Sequence, residues 1–168
     1  QTRAWYRVES RETVINPDQL KPWFKAVNSL ANIVARDYFI TIMLTGLRRT
    51  EAMNIKWSDV NLDRKTLTVR DTKNYRDHTL PIPNYLLSIL ITRKNSVVGD
   101  YVVQSTKGRL QNLRYAQEAV IKESGVNFTI HDLRRTFATI ANSLDIPAYT
   151  VKMLLNHKNS SDVTAGYI

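Results

Sequence analysis

The chain has 168 residues, 43% of them hydrophobic and 23% charged, and this composition predicts a single globular domain. Its 24 Lys and Arg against 15 Asp and Glu give a formal net charge of +9, which favours a polyanionic partner such as nucleic acid over a merely basic surface. The absence of cysteine excludes disulfides, thiolate metal sites and thiol catalysis. Its apolar stretches are too short to span a bilayer and its first residues lack a signal-peptide layout, so we expect a cytoplasmic protein with no membrane partner.

Helical periodicity dominates the first third of the chain. Asn16-Pro17 predicts the start of a helix whose apolar spacing continues to about residue 35. A second, strongly apolar helix is expected over 36–45, where Gly46 ends it, and a short third helix over 48–55.

The pattern then changes to the alternation that is typical of strands. Strands are predicted at 66–70 and 79–83, joined by a polar loop, and a third strand at 101–103. The remaining helices are expected at about 85–93, 109–124, 131–144 and 147–155, with a short last helix before Tyr167. The predicted fold is therefore mainly α with a small three-stranded antiparallel β-sheet (α+β).

Two short patterns could bind a phosphate. His131 and Arg134 lie three residues apart at the start of a helix, so both side chains can face one ligand beside the free N–H groups of the helix end. Arg48 follows the helix-ending Gly46, and Glu51 could hold its guanidinium from behind. Taken singly, each pattern also fits an ordinary solvated helix surface.

Three further residues are unremarkable when considered one at a time. Lys73 lies in the polar loop between the first two predicted strands, and a lysine there is usually a turn residue. His157 and Tyr167 lie near the end of the chain, where a tyrosine is usually a packed aromatic. Their order and spacing after Arg48 carry more information than the residue types.

In combination, the succession of Arg48, Lys73, His131-x-x-Arg134, His157 and Tyr167 resembles the tyrosine recombinase (phage integrase) family. The resemblance covers nearly the whole chain, and 129–139 is its most specific part. It favours Arg48 over Arg49, Arg134 over Arg135, and Lys73 over Lys65, Arg70 and Arg76. Asn156 departs from the pattern, because family members usually have glycine before the second histidine.

The resemblance implies a catalytic role for each of these residues. Tyr167 would attack a DNA phosphodiester, forming a 3′-phosphotyrosyl link and freeing a 5′-hydroxyl. Arg48 and Arg134 would bind the non-bridging phosphate oxygens, and His157 would hydrogen-bond the phosphate. His131 would accept the tyrosine proton and Lys73 would protonate the 5′-oxygen. No cofactor and no metal are expected, since the arginines would supply the electrostatic stabilisation.

The expected partners follow from the same resemblance. They are double-stranded DNA with attachment-type sites, other recombinase subunits in a tetrameric synapse on DNA, and DNA-bending or excision accessory proteins. Residues 1–168 would form one catalytic domain, without the N-terminal core-binding and arm-binding domains of the family, and would be monomeric alone in the cytoplasm of a bacterial host.

Two alternatives remain. A type IB topoisomerase would share the chemistry but relax DNA. The compact size of the chain and its integrase-like sequence near His131 favour recombination. A non-catalytic helix-turn-helix module over 131–155 would bind DNA only. The second helix of that module is mostly apolar and is interpreted as core, which disfavours base reading.

Overall fold

The computed structural model describes residues 13–70, 77–96, 99–105, 108–109 and 113–156. Within these ranges the α-helices are α1 (Pro17–Asn28), α2 (Ile33–Thr45), α3 (Arg49–Met53), α4 (Asn84–Lys94), α5 (Arg114–Ser124), α6 (Ile130–Ser143) and α7 (Ala148–Leu154), with a 3-10 turn at Trp57–Asp59. The strands are β1 (Val60–Asn61), β2 (Thr66–Val69), β3 (His78–Pro81), β4 (Gln104–Ser105) and β5 (Gly108–Arg109). The short helix predicted before Tyr167 lies outside the described residues.

α1 and α2 are separated by a break earlier than the sequence predicted. The apolar spacing suggested one helix to about residue 35, but α1 ends just before Ser29. The Ser29 hydroxyl donates a hydrogen bond to the Ala26 carbonyl at 2.8 Å, and the Asn32 side chain accepts one from the Ala35 amide at 3.1 Å. Short polar side chains thus bond to the backbone at the end of α1 and at the start of α2, and they break the single helix that the apolar spacing predicted.

The predicted three-stranded antiparallel sheet is confirmed, but one of its strands is different. The order is β1-β2-β3, with Leu67 opposite both Val60 and Leu80. The predicted strand at 101–103 is wrong, because that segment makes an isolated bridge against the stretch 55–57 instead. A short turn joins β1 to β2. Pairing β2 with β1 therefore closes a shorter loop, at a lower entropic cost, than pairing it with a strand at residue 101.

α5 begins later than predicted. The sequence suggested a start at Arg109, but Arg109 pairs with Gln104 in the small β4–β5 hairpin, and α5 starts at Arg114. Its end at Gly125 is as predicted, and Gly125 has the left-handed φ of 69° that favours glycine. The bounds of α4, α6 and α7 agree with the prediction to within one or two residues.

α2 forms the centre of the molecule. Nine of its 13 residues are buried, as expected for a helix that is apolar on every side. It packs against α1, α3, α4 and α6. The mainly helical fold with one small antiparallel sheet is therefore as predicted, and none of the helices in the described ranges is long and apolar enough to cross a membrane.

α7 lies at the edge of this core rather than inside it. Val151 and Leu155 are buried in a small separate cluster with Ala141. Five of the seven residues of α7 are exposed, among them Tyr149 at 61% and Met153 at 57%, so the interpretation of this helix as core is wrong for most of its surface. The two residues that follow α7, Leu155 and Asn156, bond to the site arginines through their carbonyls.

Candidate active site

The turn after α2 sets the direction of the first candidate arginine. Gly46 caps α2 with a left-handed φ of 66°, and its N–H bonds to the Ile42 carbonyl at 2.9 Å. A Cβ on Gly46 would approach the Phe137 ring to 2.5 Å, so both the backbone angle and the packing require glycine. The next residue, Leu47, is buried, and this anchors the turn before Arg48.

Arg48 is held from behind by Glu51, as predicted. The Arg48 backbone N–H and its Nη1 donate to the two oxygens of the Glu51 carboxylate, each at 2.8 Å. Glu51 is only 7% exposed, so a single buried carboxylate fixes both the start of α3 and the guanidinium. Arg48 also donates through Nη2 to the Asn156 carbonyl at 3.4 Å.

The start of α6 is fixed by a reciprocal capping arrangement. The Thr129 side chain accepts from the Asp132 amide at 3.3 Å, and the Asp132 carboxylate accepts from the Thr129 N–H at 2.8 Å. The Thr13 hydroxyl also donates to Asp132, at 2.7 Å. Burial opposes ionisation of Asp132, but the hydrogen bonds from Thr13 and Thr129, together with the charge of Arg135, outweigh it and lower the pKa of Asp132. The first turn of α6, which carries His131, therefore has a rigid base.

Arg134 is buried on the inner face of α6. It donates through Nη1 to the Gly46 carbonyl and through Nη2 to the Leu155 carbonyl, the latter at 2.6 Å. The residue is 6% exposed. Burial, followed by the nearby charge of Arg48, lowers the pKa of Arg134 to about 10, so the guanidinium stays charged at neutral pH.

These side chains meet in one open cleft. A depression of about 520 Å³ is lined by Arg48, His131 and Arg134, together with Arg49 and Thr50. All three side chains line the same depression, so a phosphodiester bound there would lie beside two guanidinium groups and an imidazole. The structure thus brings together three of the six predicted site residues.

The electrostatics of the cleft favour an anion. Desolvation lowers the pKa of His131, and the charges of Arg135, Arg134 and Arg48 lower it further against the opposing effect of Asp132. His131 is therefore neutral at pH 7, the form that can accept a proton. Glu51 is the one carboxylate that contacts Arg48 or Arg134 within the described ranges, so the cleft keeps excess positive charge.

Asn156, the departure from the family pattern, fits the local backbone. Its φ of 48° lies in the left-handed region, which glycine adopts most easily and asparagine most readily among other residues. The conformation that glycine would supply is therefore preserved. The turn also places the Asn156 carbonyl on Arg48.

Lys73, His157 and Tyr167 lie outside the described residues, and their positions stay predictions. The nearest described residues on either side of Lys73 are Arg70 and Asp77. Arg70, at the end of β2, pairs with Asp59 at 2.6 Å and with Asp77 at 2.9 Å.

Several parts of the site were not predicted from the sequence. Thr13 and Asp132 were missed, although Thr129-x-x-Asp132 is a recognisable capping pattern before a helix. The carbonyls of Gly46 and Leu155 were missed because backbone acceptors leave no residue-type signal. No cluster of metal-ligating side chains occurs among the residues that the structure describes.

Comparison with curated proteins gives consistent relatives. The chain is 32% identical over 155 residues to the prophage integrase IntF of Escherichia coli strain K12. This match covers 88% of this chain and 33% of that protein. It is 33% identical over 138 residues to the tyrosine recombinase XerA of Thermococcus kodakarensis, covering 75% of this chain and 48% of that protein. The chain thus spans between a third and a half of the length of these relatives.

Solved structures show the same fold. A lambda integrase (75–356) dimer bound to a COC′ core site superposes with a TM-score of 0.72 at 21% identity, covering 92% of this chain and 61% of that one. XerA recombinase gives a TM-score of 0.72 at 22% identity, with 86% and 56% covered. Residues 13–168 match the model of the phage integrase family. With nearly the whole chain matched, the chain belongs to the phage integrase family of tyrosine recombinases.

Proposed function

We propose that this chain is the catalytic domain of a site-specific recombinase that breaks and rejoins double-stranded DNA, as in the integration or excision of a mobile element. The observation that supports this most is the shared cleft of Arg48, His131 and Arg134, in which two guanidinium groups lie beside a neutral imidazole. Such a cleft suits transfer of a phosphodiester, because negative charge grows on the phosphate oxygens in the transition state.

The two arginines are the phosphate-binding groups of this mechanism. Each uses N–H donors on fixed protein acceptors, Glu51 for Arg48 and the carbonyls of Gly46 and Leu155 for Arg134. A guanidinium has five N–H donors, so each retains donors for non-bridging oxygens. Both guanidinium groups are held in place before substrate binds, so little reorganisation is needed. Losing one such donor costs about 3–4 kcal/mol of transition-state stabilisation.

Proton transfer completes the reaction. Tyr167 supplies the nucleophile, and His131 accepts its proton, since the phenol is a weak nucleophile while protonated. The tyrosine oxygen bonds to phosphorus as the bond to the 5′-oxygen breaks, and Lys73 protonates the leaving oxygen. His157 donates a hydrogen bond to the phosphate. The phosphotyrosyl ester conserves the bond energy, so attack by a 5′-hydroxyl rejoins a strand by the reverse steps.

The partners follow from the structural relatives. Lambda integrase is found as a dimer on a core site and as a tetramer on a Holliday junction, and XerH is found bound to a difH substrate. We extend this to the present chain as double-stranded DNA, other recombinase subunits and accessory proteins, acting in the cytoplasm of a bacterial host. The charge of +9 agrees with a DNA-bound domain.

Covalent trapping tests the proposal. The chain is incubated with a library of nicked duplexes of random core sequence, and DNA that stays attached after denaturation is recovered and sequenced. We expect an adduct with one enriched core sequence, its loss in Tyr167→Phe, and retained DNA binding by that variant. Tyr149→Phe, which alters an exposed tyrosine of α7, is the matched control and should keep the adduct. An adduct formed by Tyr167→Phe would refute the assignment of the nucleophile.

The same reagents separate the alternatives. A type IB topoisomerase would relax supercoiled plasmids whatever their sequence, whereas a recombinase needs the enriched core. A helix-turn-helix module would bind DNA without any adduct. The recombinase proposal therefore requires both an adduct and dependence on the core sequence.

A further inference from the structure

Leu154, the last residue of α7, and the two residues after it offer three successive carbonyl groups to three side chains. The Leu154 carbonyl accepts a hydrogen bond from His78 Nε2 at 2.9 Å, and the Leu155 carbonyl accepts one from Arg134 Nη2 at 2.6 Å. The Asn156 carbonyl accepts one from Arg48 Nη2 at 3.4 Å. Carbonyls in the last turn of a helix lack partners within the helix, and here side chains from β3, α6 and the Gly46 turn supply them.

We infer that His78 is a positioning residue for the two site arginines, and the inference rests on the proposed function. His78 does not line the cleft of Arg48 and Arg134. It fixes the Leu154 carbonyl, and adjacent peptide units are planar and share a Cα atom. A displacement at Leu154 therefore also moves the next two carbonyls, which hold the guanidinium groups of Arg134 and Arg48.

α7 needs such a tether because its own packing is slight. The helix has seven residues, too few to be stable alone, and Val151 is the buried residue among them. Asp145 before it and Asn156 after it both have positive φ, at 56° and 48°. A short helix between two turns, with few apolar contacts, is the kind of unit that opens locally.

β3 gives His78 a firm base. His78 pairs with Val69 in the antiparallel register of β2 and β3, and its ring is half-buried. The neighbouring Thr79 lies on the opposite face of the strand, exposed, with its hydroxyl 3.0 Å from that of Thr68. Thr79 is thus a control from the same strand, whose side chain lies on the face opposite to that of His78.

The first test uses the free chain and does not depend on DNA. Exchange of the guanidinium N–H protons of Arg134 and Arg48 is measured by NMR of arginine-labelled protein. We expect roughly tenfold faster exchange in His78→Ala, since the carbonyls that hold both groups are released. His78→Gln, whose amide can donate to the same carbonyl, should restore most of the protection, and Thr79→Ala should leave it unchanged. Unchanged exchange in a folded His78→Ala chain would overturn the inference, and so would a roughly tenfold faster exchange in a folded His78→Gln chain.

The second test uses the core sequence that the trapping experiment recovers. At saturating DNA we expect His78→Ala to form the adduct roughly tenfold more slowly while the Kd for DNA changes less than about threefold. A scissile methylphosphonate lacks one negative oxygen and needs less guanidinium stabilisation, so the deficit should shrink on that substrate. An equal deficit on both substrates would show that His78 does not act through the arginines. If wild-type chain forms no adduct, the proposed function fails, and the NMR result still decides whether His78 positions the arginines.

Discussion

Arg93 and Arg134 are buried to the same degree, 5% and 6% exposed, yet their surroundings differ in charge. Arg93, in the last turn of α4, donates to the buried carboxylate of Asp37 at 2.9 Å. Its other donors reach the carbonyls of Val102 and Gln104, at 2.5 and 2.8 Å. Arg93 thus joins α4 to α2 and to the segment 102–104, and its charge is neutralised by Asp37 within the protein.

Arg134 has no such counter-charge in direct contact among the described residues. Its partners there are two carbonyl groups, and the nearby charge of Arg48 helps to lower its pKa to about 10. A buried charge that the protein itself does not neutralise is unfavourable, and a bound phosphate would relieve it. The charge balance of a buried arginine, rather than its burial, therefore separates a structural group from a substrate-binding group.

The largest expected effect is on stability, from Arg93→Ala. Removing this guanidinium leaves the Asp37 carboxylate buried, with the partly exposed Arg36 as its remaining side-chain partner among the described residues. We expect the free energy of unfolding to fall by about 3–5 kcal/mol, measured by urea denaturation. Adduct formation, measured at a temperature where the variant is folded, should stay close to wild type.

A double variant sharpens this result. Asp37→Ala with Arg93→Ala should lose less stability than the sum of the two single changes, because the carboxylate left unpaired by the first change is gone. Additive losses would mean that the ion pair is not what joins α4 to α2.

The next largest effect is on catalysis, from Arg134→Lys. Lysine keeps the charge but cannot form a two-pronged contact with phosphate while also bonding to the two carbonyls. We expect adduct formation to slow by roughly a hundred- to a thousand-fold. Urea denaturation should show a smaller loss of stability than Arg93→Ala. A near-normal rate in Arg134→Lys would remove the distinction between the two arginines.

The sequence was sufficient for the residues of the site that belong to local patterns. His131 and Arg134 share one helix turn, so their spacing fixes how they lie relative to each other. The helix-ending Gly46 fixes the turn that carries Arg48. Glu51 was predicted behind Arg48 for the same reason and is found there.

The sequence was insufficient where contacts are distant or carried by the backbone. Arg93 and Asp37 are 56 positions apart, and nothing in the local spacing relates them. The carbonyls that hold Arg134 belong to Gly46 and Leu155, and any residue type could supply them. The strand at 101–103 failed because the nearer β1 pairs with β2.

The smallest effect concerns pH, through Arg135→Gln. After desolvation, the charge of Arg135 is the next cause of the lowered pKa of His131, and Arg134 and Arg48 act in the same direction. Removing the Arg135 charge raises the pKa of His131, and it also releases the Asp132 carboxylate, 3.3 Å from Arg135, which favours the protonated imidazole. His131 must be neutral to accept the tyrosine proton, so the acidic limb of the rate profile should move to higher pH, by a few tenths of a unit.

Single-turnover adduct rates from pH 4.5 to 8 measure this shift, with the exposed Lys152→Gln as a control for overall charge. A shift to lower pH, or an equal shift in Lys152→Gln, would mean that His131 is not the group that limits the reaction in acid. A shift in Arg135→Gln alone would show that the positive charge of Arg135, next to the site arginine Arg134, keeps the neighbouring base unprotonated.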